Sequence, residues 1–199
     1  MKLAIIKYNA GNIRSVLFAL DRIGVHAQVT DNVDEITSAD KVIFPGVGEA
    51  STAMNYLRER NLDKVIKGLK QPVLGVCLGM QLMCRYSQEN DTTCLGIFDE
   101  EVKKFVSPSI SQFKVPQIGW NNIYDLKTPL FTSVDDGSFC YFVHGYYAAL
   151  GDHTIATTDY IKPYSSGLHK NNFYGVQFHP EKSAKAGQQI LQNFITGDL

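Results

Sequence analysis

The sequence has few cysteines, and none of them stands in a metal-binding pattern. The four cysteines, at positions 77, 84, 94 and 140, form no Cys-x-x-Cys pair. This spacing favours neither a zinc site nor a disulfide framework. We therefore expect no metal ion and no cofactor, and the default role of each cysteine is that of a buried, reduced thiol.

The sequence also lacks an excess of charge and a long apolar run. Its formal net charge is −1, which gives no long-range field to attract nucleic acid or an anionic membrane. The uncharged stretch Gln71–Cys84 is interrupted by glycines and is shorter than the roughly 20 apolar residues of a membrane-spanning helix. The apolar run near the N-terminus has four residues, too few for the core of a signal peptide. We expect a soluble, cytoplasmic protein that binds neither nucleic acid nor membrane.

Strand and helix patterns alternate through the first half of the chain, and strands dominate the second half. A chain of 199 residues is long enough to bury a core, and we expect one domain over 1–199. The alternation predicts an α/β fold, an open and mostly parallel sheet with helices on both faces and some antiparallel strands. The predicted strands are Leu3–Ile6, Val25–Val29, Lys41–Phe44, Val73–Val76, Glu101–Val106, Ile118–Tyr124, Phe139–Val143, Tyr146–Leu150, Thr154–Thr158 and Phe173–Phe178. The predicted helices run from Ile13 to Ile23, Ala50–Arg60, Gly79–Tyr86 and Ala184–Ile195.

Cys77 has a local context that the other cysteines lack. It follows the predicted strand Val73–Val76, precedes a predicted helix, and stands in the pattern Gly75-x-Cys77-x-Gly79. That pattern has the form of a nucleophile elbow with sulfur in place of oxygen. A helix N-terminus stabilises a thiolate, and the next amide, on Leu78, is directed at the space where an oxyanion forms. The alternative is a buried thiol beside two packing glycines.

A thiolate nucleophile needs a base, and five histidines are candidates for it. His179 ends an apolar strand pattern, Pro180 stops that strand, and Glu181 follows at once. An imidazole and a carboxylate at one strand end supply a base and its orienting partner. His144, in the sequence YFVHGYY, is a second candidate at a strand end. The remaining histidines, 26, 153 and 169, have no distinctive context.

A glycine-containing loop supplies a candidate oxyanion hole. The residues from Phe44 to Gly48 follow the predicted strand Lys41–Phe44 and precede a helix. Glycines there let backbone N–H groups turn toward a bound carbonyl. The loop lacks the lysine and Ser/Thr of a phosphate-binding P-loop. An ordinary strand-to-helix turn is an equally good interpretation of this loop taken alone.

These motifs together resemble the class I, or triad, glutamine amidotransferases. The matching sequences are PGVG at 45–48, GVCLGMQLM at 75–83 and GVQFHPEKS at 175–183. Three more, YNAGNIRSV at 8–16, VPQIGWN at 115–121 and FVHGYY at 142–147, are similar to the branch of the family that supplies ammonia to imidazole glycerol phosphate synthase in histidine biosynthesis. The resemblance spans nearly the whole chain in order. Lys7 and Gly145 depart from the family pattern, which usually has an acidic residue and often a serine there.

The resemblance implies a role for each matching residue. Cys77 corresponds to the nucleophile, His179 to the base and Glu181 to the third member of the triad. The backbone amides of Val47 and Leu78 correspond to the oxyanion hole.

Two more matching positions concern the substrate. The resemblance implies that Gly48 and Gln81 help to hold glutamine.

The resemblance also implies a partner protein. In this branch of the family the ammonia released from glutamine passes to a cyclase subunit with a (β/α)8 barrel, and the two subunits form a heterodimer. The cyclase makes imidazole glycerol phosphate and an aminoimidazole carboxamide ribotide. Such a barrel takes about 250 residues, so we expect it on a separate chain.

Three other interpretations remain open from the sequence. A related amidotransferase could serve anthranilate or aminodeoxychorismate synthesis, although those typically have histidine where Met80 stands. A cysteine hydrolase of the α/β-hydrolase type shares the elbow and would take Asp152 or Asp159 as its acid. A regulatory subunit without activity would dock on a partner and use none of these groups.

Overall fold

A computed structural model describes residues 1–9, 12–108, 113–197 and 199. Ala10 and Gly11 of the YNAGN motif lie outside the described residues. The strands are β1 Leu3–Ile6, β2 Ala27–Thr30, β3 Lys41–Phe44, β4 Val73–Val76, β5 Tyr86–Ser87, β6 Thr92–Thr93, β7 Glu101–Lys104, β8 Gln117–Asn122, β9 Phe139–His144, β10 Tyr146–Ala148, β11 Thr154–Tyr160, β12 Lys162–Lys170 and β13 Phe173–Val176. The helices are α1 Ile13–Arg22, α2 Val33–Thr37, α3 Ala50–Glu59, α4 Leu62–Gly68, α5 Leu78–Met83 and α6 Ala184–Thr196, with 3-10 turns at Pro129–Phe131 and Pro180–Lys182.

The main sheet is open and mixed, which confirms the predicted α/β class. Strands β2, β1, β3, β4 and β13 lie side by side in that order, and each neighbouring pair is parallel. Beyond β13 the strands β12, β10 and β7 pair antiparallel, and β11 pairs antiparallel with β12. Strands β8 and β9 form a separate antiparallel pair. The parallel half carries the strand-to-helix turns, and the antiparallel half extends the sheet.

Hydrophobic clusters lie on both faces of the parallel strands. Along β1, Ala4 and Ile6 belong to one cluster, while Leu3 and Ile5 belong to the other. This division follows from the alternation of side chains along a strand. Helices α2 to α5 contribute to the first cluster, and α1 and α6 contribute to the second. Both faces are therefore covered, as a parallel sheet requires.

The sequence pattern missed the longest strand of the sheet. Strand β12 contains Ser165 and Ser166 at its centre, both fully buried, so it lacks the apolar alternation of a half-buried strand. The Ser165 hydroxyl donates to the Ala149 carbonyl oxygen at 2.8 Å, which removes the cost of burying it. The predicted helix Gly79–Tyr86 is also shorter than expected. It ends at Met83, and Tyr86 begins β5.

In the part of the chain that the structure describes, no helix combines the length and the apolar character that crossing a membrane takes.

Helix α5 packs unusually close to the strands beneath it. A Cβ atom added to Gly79 would overlap the carbonyl oxygen of Phe44, and one added to Gly75 would lie only 2.9 Å from backbone atoms of Gly79 and Met80. Both glycines of the elbow are therefore required by the close approach of α5 to β3 and β4. This approach fixes the start of α5, and with it Cys77.

We predict that Gly79→Ala destabilises the protein. The added methyl group meets backbone atoms, which cannot rotate away, so the free energy of unfolding should fall by about 1–3 kcal/mol. Gly68→Ala is the matched control, because Gly68 ends α4 and a Cβ there meets no atom within 4 Å. Urea unfolding of both variants tests the prediction, which fails if Gly79→Ala is as stable as Gly68→Ala.

Candidate active site

Cys77 occupies the turn between β4 and α5 in a strained backbone conformation. Its φ is 52° and its ψ is −110°, a region that residues with a side chain rarely adopt and that costs about 1–3 kcal/mol. The Cys77 amide donates to the Val176 carbonyl oxygen at 2.8 Å, which ties the turn to β13. The residue is 5% exposed, and its sulfur lies 3.8 Å from the Val143 carbonyl oxygen. The strand, turn and helix follow one another in the order of a nucleophile elbow.

His179 and Glu181 lie at the same edge of the sheet as Cys77. Strands β4 and β13 are parallel with Val76 opposite Val176, so the residues that follow each strand emerge side by side. The His179 ring lies within hydrogen-bonding reach of Cys77, and its Nδ1 is 2.8 Å from Glu181 Oε1. Both side chains are buried. The structure brings the three predicted triad residues together, with His179 hydrogen-bonded to Glu181 and beside Cys77.

The surroundings of His179 favour its charged form. Burial lowers the pKa of His179, but hydrogen bonds to Cys77 and Glu181 and the charges of both groups outweigh burial. The net effect raises the pKa of His179 to about 10. His179 is therefore charged at neutral pH and ready to donate a proton from its ring nitrogen.

Two residues that were not predicted as part of the site hold Glu181. The Asn12 side-chain nitrogen donates to Glu181 Oε1 and lies 3.5 Å from His179 Nδ1. Arg22 donates from its guanidinium to the Glu181 backbone oxygen at 3.3 Å. Asn12 belongs to the YNAGN motif, so the family resemblance could have pointed to it. Nothing in the sequence around Arg22 singles it out.

The loop at 45–48 accepts hydrogen bonds from Tyr8, which follows β1, and from Leu78 at the start of α5. The Tyr8 hydroxyl donates to the Pro45 carbonyl oxygen at 2.6 Å, with Tyr8 itself buried. The Leu78 amide donates to the Gly46 carbonyl oxygen at 3.2 Å. In this arrangement the Leu78 N–H group, which we predicted to bind an oxyanion, is already used in the hydrogen bond to the Gly46 carbonyl. Gly48 has a φ of +125°, a conformation that favours glycine.

A cavity of about 180 Å³ opens beside the sulfur of Cys77. All the residues predicted for the oxyanion hole and for substrate binding line it. So does Gly145, where the sequence departs from the family pattern. Its lining residues are Val47, Gly48, Cys77, Leu78, Gln81, Glu89, Val143, His144, Gly145 and Tyr146. Its size and mixed lining suit a small polar molecule.

Glu89 is a further polar group of this cavity that sequence reasoning missed. Its Oε2 accepts from the Ala50 amide at 2.8 Å, and burial raises the pKa of this carboxyl group. Glu89 lies between β5 and β6, outside every motif, so only the folding of that hairpin brings it here. A carboxylate in this position would attract the amino group of a bound amino acid.

The alternative acids have partners elsewhere, and the alternative base, His144, lines the cavity but bonds to groups other than Cys77. Asp159 accepts from the Tyr124 hydroxyl at 2.6 Å, and Asp152 lines a separate cavity with Arg85 and Glu101. Neither carboxylate takes the position that Glu181 holds beside His179. His144 Nδ1 lies 2.7 Å from the Tyr146 carbonyl oxygen. Among the described residues, no three side chains of His, Cys, Asp or Glu are grouped so as to hold a metal ion.

Comparison with known proteins gives one consistent family. A family model described as glutamine amidotransferase class-I matches residues 4–197. The chain is 57% identical to imidazole glycerol phosphate synthase subunit HisH of Bacteroides fragilis, over 98% of this chain and 99% of that protein. It is 46% identical to the protein of the same name from Pasteurella multocida, over 97% and 96% of the two chains. The crystal structure of a glutamine amidotransferase shares the fold, with a TM-score of 0.72, 15% identity and coverage of 96% of both chains.

We predict that His144 makes stability depend on pH in mildly acidic solution. Burial lowers the pKa of His144 to about 4 from 6.5, so between these values the unfolded chain binds a proton that the folded protein does not. Stability should therefore fall as the pH drops from 6.5 to 4, by about 3 kcal/mol in total. Urea unfolding of the wild type and His144→Gln across this range measures the effect. An equally steep pH dependence in the two proteins would contradict it.

Proposed function

The chain belongs to the class I glutamine amidotransferase family, and from this we propose that it is the glutaminase subunit of an imidazole glycerol phosphate synthase. It is an enzyme that hydrolyses glutamine to glutamate and ammonia, and we take residues 1–199 as one domain that works in the cytoplasm. The observation that carries the proposal is that His179 lies beside both Cys77 and Glu181, and that Cys77 lines a cavity sized for a small polar substrate.

The proposed chemistry runs through a thioester on Cys77. The thiolate attacks the side-chain amide carbon of glutamine, and the charge moves to the amide oxygen. The imidazolium of His179 gives its proton to the leaving nitrogen, and ammonia departs. His179 then takes a proton from water, which attacks the thioester and releases glutamate. Glu181 and Asn12 hold the ring in position throughout, through the bonds to Nδ1 and the carboxylate.

The loop at 45–48 suggests how activity is controlled. While the Gly46 carbonyl accepts from the Leu78 amide, that amide cannot bind the oxyanion. We propose that the peptide between Gly46 and Val47 rotates, which frees the Leu78 N–H group and turns the Val47 N–H group toward the substrate. One missing oxyanion donor typically costs about 10²–10³ in rate. Basal activity is therefore low until a partner stabilises the rotated loop.

An exposed apolar face beside the site fits the partner. Ile118 and Trp120 of β8 are 64% and 53% exposed, and they pair across the strands with Val143 and Tyr141 of β9. This β8–β9 face is continuous with the site, because Val143 lines the cavity and the His179 amide donates to the Tyr141 carbonyl oxygen at 2.9 Å. Aromatic clusters of this kind are typical of protein interfaces.

The partner we propose is the (β/α)8-barrel cyclase subunit, bound as a heterodimer. Free ammonia is mostly protonated at neutral pH and is then unreactive. A cyclase seated on the β8–β9 face would cover the cavity and receive ammonia before it reaches bulk water.

We predict that glutamate release is slow for the isolated chain and rises by about 10²-fold or more with the histidine-pathway cyclase and its phosphoribulosyl-formimino nucleotide. Glutamate production is measured with and without each component, and Cys77→Ala gives the background. An anthranilate synthase component serves as the control partner. Full activity of the chain alone would contradict the loop control, and stimulation by the control partner alone would contradict the assigned pathway.

We predict that Trp120→Ala weakens binding of the cyclase by about 30-fold or more, since truncating a central interface tryptophan typically costs at least 2 kcal/mol. Leu150→Ala is the control, because Leu150 is equally exposed, at 50%, and lines the separate cavity with Arg85. Titration calorimetry with the cyclase measures both variants. Equal affinities of the two variants would remove the β8–β9 face from the interface.

A further inference from the structure

Gln177 is a fully buried polar residue in contact with the nucleophile, and the chemistry described so far makes no use of it. It follows β13 and is 0% exposed. Its side-chain Nε2 lies 3.6 Å from the Cys77 sulfur, within the range of an N–H···S hydrogen bond. Its Oε1 accepts from Gln81 Nε2 at 2.8 Å. Its backbone amide donates to the Ser166 carbonyl oxygen at 2.9 Å, which fixes where the side chain begins.

The Tyr146 carbonyl oxygen determines the orientation of the side-chain amides of both Gln81 and Gln177. Gln81 Nε2 lies 2.9 Å from the Tyr146 carbonyl oxygen, and a carbonyl can only accept. The Gln81 nitrogen must therefore face Tyr146, and its second hydrogen points at Gln177. That hydrogen requires an oxygen on Gln177, so the Gln177 nitrogen must face Cys77. The reversed orientation of either amide would set two acceptors or two donors against each other.

We propose that Gln177 stabilises the thiolate of Cys77 by donating an N–H group to its sulfur, and that Gln81 is a positioning residue that holds the Gln177 amide in the donating orientation. For catalysis this rests on the proposed glutaminase function. A donor aimed at sulfur favours the negative charge and fixes the sulfur beside the cavity. A reversed amide would present an oxygen to the thiolate and repel it.

The proposal also narrows what Gln81 does toward a substrate. Both hydrogens on Gln81 Nε2 are used within the protein, on Tyr146 and Gln177. Any contact of Gln81 with bound glutamine therefore involves its side-chain oxygen. The side-chain nitrogen of Gln81 thus orients Gln177 beside Cys77, and its side-chain oxygen is left to contact the substrate.

Other ionisable groups also surround Cys77, and a test must separate them from Gln177. They are the charged pair formed with His179 and Glu181, the buried phenols Tyr8 and Tyr164, and the cavity groups Glu89, His144 and Tyr146. None of them changes when the Gln177 amide is replaced by a neutral group. A neutral substitution of similar length therefore isolates the N–H···S bond.

The experiment is the pH profile of Cys77 alkylation by iodoacetamide in the full-length chain. Only the thiolate reacts, so the midpoint of the rate profile reports how strongly the protein stabilises it. Gln177→Met removes the donor without adding charge, and we expect the midpoint to rise by about one pH unit. Mass spectrometry assigns the modification to Cys77, and Cys77→Ala gives the background from the other three cysteines.

A second variant tests the orientation of the Gln177 amide, and it keeps the proposal testable if Gln177→Met does not fold. Gln81→Met removes the donor that orients Gln177, so the midpoint should rise in the same direction but by less. Thermal melting identifies variants that are folded. The proposal is overturned if the folded Gln177→Met keeps the wild-type midpoint, or, where that variant does not fold, if Gln81→Met keeps it.

Turnover gives an independent readout that a structural role would not produce. In the complex with the cyclase, kcat of Gln177→Met should fall several-fold near neutral pH and recover at pH values above its raised midpoint, while KM changes little. A loss of kcat that is the same at every pH would contradict the proposal. Because alkylation needs no glutamine, a shifted midpoint without glutaminase activity would disprove the proposed function and leave the role of Gln177 standing.

Discussion

The parallel pairing of β4 with β13 is the constraint on which the site depends. It sets Val76 opposite Val176. The amide of Cys77, the first residue after β4, donates a hydrogen bond to the carbonyl oxygen of Val176, the last residue of β13. Residues that are about 100 positions apart in the sequence thereby emerge at one edge of the sheet. A change of register by one residue would turn every side chain to the opposite face, and Cys77 would no longer lie beside His179. Backbone hydrogen bonds between β4 and β13 therefore set the relative positions of Cys77 and His179.

The same close packing that fixes Cys77 also restrains the loop at 45–48, which we propose forms part of the oxyanion hole. Gly79 allows α5 to touch the end of β3, so the loop that follows β3 lies against the start of the helix. At this short distance the Gly46 carbonyl bonds to the Leu78 amide, and Tyr8 holds the preceding residue. In our proposal this arrangement is the inactive one, and its hydrogen bonds form within the protein without a ligand. Activation has to replace those bonds with better ones, and a bound partner and substrate supply them in our proposal.

Local signals predicted a large part of this structure. Strands β1, β3 and β4 have the predicted bounds, because short apolar runs between turns are decided by their own residues. The residues that we propose as the triad were predicted from two motifs, each a strand end followed by a reactive side chain, and the structure places them close together. Strand β12 was missed, because its central residues are buried serines, and the Ser165 hydroxyl finds its partners, Thr154 and Ala149, only in the folded protein. Asn12 and Glu89 were missed for a similar reason, since each reaches the site from an element that is remote in sequence.

The sequence alone determined which chemical groups are present and how each is displayed: a thiol on a strand-to-helix turn, and an imidazole and a carboxylate separated by one proline. Those features are local, because steric limits on a few neighbouring residues decide them. Only the tertiary structure decided the direction of each hydrogen bond. The Gly46 carbonyl faces the Leu78 amide, and the Gln177 nitrogen faces sulfur because the Tyr146 carbonyl orients Gln81. Hydrogen bonds depend on angle and on tenths of an ångström, and no sequence pattern carries that information across a hundred residues.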